Sequence, residues 1–148
     1  MFLFSLYSEA QLSITSSGDW LEVIDSSDLI SGAGSDLKSS YESAQNATVL
    51  SISGSQDPLD AWHVNIRRID STWHNNFILY ARRTSDGTGN GSISDGTSYI
   101  IVDTTDSFFF SGSGDRSGIN IQYKLEGMSI QIPPNNYSTN IVFTVVDD

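Results

Sequence analysis

Ile119-Asn120-Ile121-Gln122-Tyr123-Lys124-Leu125-Glu126 alternates apolar and polar side chains at every position. That is the period of a strand with one face on a core and the other in water. Past Gly127 the alternation resumes at Met128, Ile130 and Ile132 and stops at Pro133-Pro134, which have no amide hydrogen to give to a ladder. Asn135-Asn136 supplies a turn. The closing run Ile141-Val142-Phe143-Thr144-Val145-Val146 is β-branched or aromatic throughout and predicts a strand with little exposure on either face. Three strands therefore end the chain, and they need sheets to cover their apolar faces.

The composition suits such sheets. Ser, Thr, Asn and Gly are abundant and Lys and Glu few, which favours short strands and polar turns over helices. The 148 residues are enough for one domain with its own core. Without Cys the chain has no disulfide framework, thiolate metal site or cysteine nucleophile. Its 18 acidic residues against 7 basic ones give a charge of -11, which disfavours nucleic acid and anionic membrane surfaces as partners. No apolar run approaches the roughly 18 residues of a membrane span, and residues 1–7 lack the basic flank and the length of a secretory leader.

Along the chain, residues 1–14 form an N-terminal strand with Phe2, Phe4, Leu6, Leu12 and Ile14 in one parity, and residues 15–148 form the sandwich domain. Trp20-Leu21-Glu22-Val23-Ile24 reads as a strand, Asp25 to Gln45 as a long connection with a weak helical pattern between Asp36 and Ala44, and Thr48 to Ser53 as a strand. Ala61 to Ile69 and Asn76 to Arg83 are joined by a link short enough for an antiparallel hairpin. The Gly- and Asn-rich segment from Thr84 to Thr97 reads as a long mobile loop. Strands over Ser98 to Val102 and Ser107 to Ser111 lead to the terminal trio. The sum is an all-β, immunoglobulin-like antiparallel two-sheet sandwich of about 9–11 short strands.

Chemistry-bearing residues are sparse. His63 and His74 have no carboxylate or hydroxyl at a motif spacing, and no Gly-x-Ser-x-Gly elbow is present, so no catalytic residue, cofactor or metal site is assigned. Asp86, Asn90 and Asp95 have the oxygen chemistry of a calcium loop but not the EF-hand spacing, and solvation explains them better. Trp62 shares parity with Val64 and Ile66 and belongs to the core. Trp73 lies among polar turn residues and is the tryptophan to expect at a ligand-contacting surface, although folding back onto the sandwich explains it more simply. If the central hairpin pairs in register, Arg67-Arg68 and Arg82-Arg83 gather at its open end, where Arg67 and Arg82 would contact an acidic glycan; ion pairing is the simpler role. The Phe108-Phe109-Phe110 run offers rings for sugar stacking. Asn46, Asn90 and Asn136 each begin an Asn-x-Ser/Thr glycosylation acceptor.

The segment from Ile132 through Pro133-Pro134-Asn135-Asn136-Tyr137-Ser138-Thr139-Asn140 to Val145 resembles the closing segment of bacterial spore-coat-U-like and other pilus-subunit domains. In those, a small-residue turn, a Tyr and a Thr/Val-rich strand end an immunoglobulin-like sandwich. The resemblance implies a cell-surface or extracellular subunit that polymerises when the apolar N-terminal segment of one copy fills a groove in the next. Residues 1–14, apolar in one parity and nearly uncharged, have the properties that strand addition requires. The expectation is a non-enzymatic filament subunit self-associating through Phe2, Phe4, Leu6, Leu12 and Ile14. The alternative is a secreted carbohydrate-binding module using Trp73 and the arginines.

Overall fold

The alternating run around Ile121 becomes β10 (Arg116–Glu126), the strand on which one of two sheets is built. A computed structural model describes residues 11–148. One edge of β10 pairs with β3 (Thr48–Ser53) and β2 (Ser40–Glu42), the other with β6 (Thr88–Gly89) and β5 (Ile78–Arg83). β1 (Ser13–Ser17) lies outside β3, and β8 (Ile100–Ile101) outside β5. The second sheet runs β11 (Ser138–Asp147), β4 (Ala61–Thr72), β9 (Ser107–Ser113), β7 (Ile93–Ser94). Every named strand pairing is antiparallel. Among the described residues the helical content is one 3-10 turn, Ser26–Asp28, capped by Asp25. With eleven strands among the described residues the chain is the all-β two-sheet sandwich that its patterning predicts.

The core lies between the sheets. Leu50 and Ile52 of β3, Leu79 and Ala81 of β5, and Ile119, Ile121 and Tyr123 of β10 face Trp62, Val64 and Ile66 of β4. Trp62 is fully buried, and its Nε1 donates to the Gly114 carbonyl at 2.9 Å, so burying the ring leaves no polar atom unpaired. A Cβ on Gly112 would lie 2.5 Å from the Trp62 ring; only glycine fits beside it. The three phenylalanines of β9 do not form a platform. Val64 pairs with Phe110 but Asn65 with Phe108, and this bulge gives Phe109 no partner of its own and turns both Phe109 and Phe110 inward. Phe108 alone faces out, 52% exposed.

Several sequence expectations change in three dimensions. β4 and β5 are not a hairpin: they belong to opposite sheets, and residues 73–77 cross between them. The stretch from Met128 to Ile132 is not a strand but part of the crossing from β10 to β11, with Ile132 buried and Ile130 exposed. The crossings from β4 to β5 and from β10 to β11 meet at one end, where Tyr137 packs edge-on against Phe77 at 4.9 Å and donates to the Pro133 carbonyl at 2.7 Å. Residues Trp20 to Ile24 have no ladder partner and leave Leu21 and Val23 exposed, while Trp20 stacks on Tyr123 at 6.5 Å. β2 replaces the helix sought between Asp36 and Ala44. β11 is an edge strand, so its side chains are half-buried or exposed, not covered on both faces.

Two outcomes follow from this packing. Phe110→Ala should lose about 3–5 kcal/mol in denaturant unfolding, whereas Phe108→Ser should change stability by less than about 1 kcal/mol; equal losses would contradict the bulge. Burial pushes the Tyr123 phenol up to about 12, opposed in part by its hydrogen bond to Thr48 Oγ1 at 2.8 Å. Because the folded value exceeds the ordinary value of 10.0, the stabilisation from keeping this group neutral is complete below that pH. It should be lost as pH rises through about 12. Tyr123→Phe should flatten the fall in melting temperature over that window.

Candidate functional site

β11 presents the longest open strand edge. It pairs with β4 from Ser138↔Thr72 to Asp147↔Trp62, and among the described residues no strand occupies its other side. Ile141, Phe143 and Val145 point onto the core. Val142, Thr144 and Val146, opposite Arg67, Asn65 and His63, lie on the outer face. The strand has no Lys, Pro or Gly, residues that commonly guard a free edge against pairing with another chain. β1 lies alongside it on the same flank of the sandwich.

Of the residues expected to form a donor strand, Phe2, Phe4 and Leu6 lie outside the described residues. Leu12 and Ile14 pack against the chain's own core, and Ile14 pairs with Ile52 of β3. In the single chain these two side chains are thus occupied within their own sheet.

The arginine doublets do not share a surface, since β4 and β5 lie in different sheets. Arg67 pairs with Asp106 at 3.4 Å. Arg68 pairs with Asp70, donates to the Val102 carbonyl at 3.1 Å and lies 5.0 Å over the Trp73 ring. Arg83 is buried, 4% exposed, and pairs with Asp86 while donating to the carbonyls of Ser85 and Asp95. Arg116, also buried, donates to the carbonyls of Asp86 and Gly91. Two guanidinium groups thus hold the segment that the glycine content marks as a mobile loop, and Arg83 is the cation around which Asp86 and Asp95 gather. Asn90 is exposed and joins neither arginine through its side chain. Arg82 turns to the outer face of the seven-stranded sheet, where its Nε and Nη2 donate to Gln122 Oε1 at 3.0 and 2.8 Å.

Trp73 is half-buried and packs edge-on against Phe77 at 5.4 Å, closing the core where the chain crosses between sheets. His74 lies in the same aromatic group, 6.1 Å from Tyr137. His63 is elsewhere: its Nδ1 is 2.6 Å from Asp148 Oδ1, and its ring is 6.1 Å from Phe108 on the outer face of the four-stranded sheet. Among the described residues no hydroxyl is hydrogen-bonded to its other nitrogen, and no three His, Asp or Glu residues gather as metal ligands. Asn46, Asn90 and Asn136 are all exposed. Sequence reading missed Gln122 as the partner of Arg82 and Asp148 as the partner of His63. The first contact depends on the pairing of β10 with β5, and the second spans 85 positions; neither leaves a local signal.

Compared with known protein families, curated proteins and solved structures, the chain matches none.

Replacing Arg83 with Met should cost about 1–3 kcal/mol, because it leaves the carbonyls of Ser85 and Asp95 without their donor, while the exposed Asp86 carboxylate turns to water. It should also raise amide exchange across residues 84–97 in a hydrogen-exchange measurement. Arg67→Met, which breaks a partly exposed pair, should cost less than about 1 kcal/mol.

Proposed function

We propose that the protein is a non-enzymatic, extracellular or cell-surface subunit that self-associates into a filament by strand addition. The observation that carries this reading is the edge of β11, unpaired among the described residues: ten residues, rich in β-branched side chains and without an edge guard. Its backbone groups can accept a further strand, and main-chain hydrogen bonds then give affinity while alternate side chains set register. The donor is the segment before β1. Ten residues, if extended, cover about 33 Å, the length of an equally long edge strand, and Phe2, Phe4 and Leu6 share the parity that a half-covered groove would take up. The likeness of residues 132–145 to the closing segment of pilus-subunit domains points the same way. The carbohydrate-binding alternative built on Trp73 with both arginine doublets loses support, because those residues do not meet on one surface.

Electron microscopy and light scattering of the full chain, beside a variant lacking residues 1–10, test the assembly. The full chain should form fibres, and the variant should remain a monomer whose melting temperature stays within about 3 °C. A synthetic peptide of residues 1–10 should then bind that variant. A full chain that stays monomeric at every concentration, or a truncation that unfolds the domain, overturns the proposal.

A further inference from the structure

The chain has seven basic residues in a net charge of -11, and five of them pair with a carboxylate: Lys38 with Asp28, Arg67 with Asp106, Arg68 with Asp70, Arg83 with Asp86 and Lys124 with Glu126. Arg116 is buried against backbone carbonyls. Arg82 is the other base without a carboxylate, and unlike Arg116 it is not buried. It is half-buried and has no carboxylate partner among the described residues. Neutral groups hold it: Gln122 accepts two of its hydrogen bonds, and the guanidinium lies 4.7 Å over the Tyr99 ring. Gln122 is itself buried and fixed, its Nε2 donating to the Ser43 carbonyl at 3.0 Å. Arg82 Nη1 has no protein partner among the described residues.

Beside Arg82 is a cavity of about 270 Å³ lined by Gln45, Arg82, Arg83, Thr84, Asp86 and Thr97. Every lining side chain is polar. The Gln45 amide and the Thr97 hydroxyl have no hydrogen-bond partner among the described residues, and Thr84 Oγ1 donates to the Gln45 carbonyl. The charge of Arg83 is matched by Asp86, which leaves one unmatched positive charge facing the space.

We propose that this cavity binds a uronate, a hexose unit bearing a carboxylate. The carboxylate takes the free Nη1 of Arg82, a charge-assisted hydrogen bond of the kind that guanidinium groups make best. The ring hydroxyls are met by the Gln45 amide, the Thr97 hydroxyl and the second oxygen of Asp86. A lining with no apolar side chain offers little to an amino-acid residue and much to a polyol. The volume, just under the roughly 300 Å³ at which pockets for drug-sized ligands begin, fits one sugar unit of an acidic glycan. Tyr99 and Gln122 are positioning residues for Arg82. The site does not depend on assembly at β11, since none of its lining residues belongs to that strand.

Saturation-transfer-difference NMR of the full chain, which tolerates large assemblies, tests this with sodium D-glucuronate, D-glucose and sodium acetate as probes. Glucuronate should bind roughly tenfold more tightly than glucose or acetate. Arg82→Gln should abolish its advantage over glucose, and Thr97→Val should weaken both sugars while leaving acetate unchanged, each with an unaltered circular dichroism spectrum. Should Arg82→Gln fail to fold, Thr97→Val and the ranking of the probes still decide. Glucose or acetate binding as well as glucuronate, or no glucuronate signal at tens of millimolar, overturns the proposal.

Discussion

The structure depends on the burial of one face of each sheet against the other, with Trp62 at the centre of the contact. A twisted sheet with one apolar face is not stable alone; the inner residues of β4 and β10 complete each other. Trp62 fills the space that Gly112 leaves open and hands its polar nitrogen to Gly114, so its aromatic area is buried without an unpaired donor. The same need explains the bulge in β9. Strict alternation would put only one of Phe109 and Phe110 inside, and the extra residue lets the core take both at the expense of one ladder position.

Burying the two inner faces also decides how the chain travels. A hairpin between β4 and β5 would have left both in one sheet; instead the chain crosses at residues 73–77, as it does at most connections from β3 onward and again after β10. Crossing segments cannot join a ladder, so side chains must hold them. Trp73, Phe77 and Tyr137 do so at one end of the sandwich, and that accounts for the tryptophan found in a polar turn. Arg83 and Arg116 do the corresponding work between β5 and β9, donating to carbonyls that glycine-rich backbone leaves without ladder partners. A buried guanidinium has enough donors to satisfy several carbonyls at once, which is how the segment is held with only short strands.

What remains open to the outside is unevenly distributed. Among the described residues no strand pairs with the outer edge of β11, and the half-buried Arg82 has no carboxylate partner. The two lie on different sheets.

Much of this was legible in the sequence. The alternation around Ile121, the parity of Trp62 with Val64 and Ile66, and the absence of any sustained helical period sufficed for an all-β sandwich with those residues inside, because side-chain period is a local property of the backbone. Local pattern also misled: the run from Trp20 to Ile24 has strand-like residues but no partner, and Met128 to Ile132 alternates on a segment that crosses between sheets. Which strands pair, where Arg82 meets Gln122 and His63 meets Asp148, and which edge stays free depend on contacts between residues tens of positions apart. Those contacts were settled only when the tertiary structure put the two inner faces together, since hydrophobic burial has no preferred direction and constrains the sum of apolar area, not the order in which strands supply it.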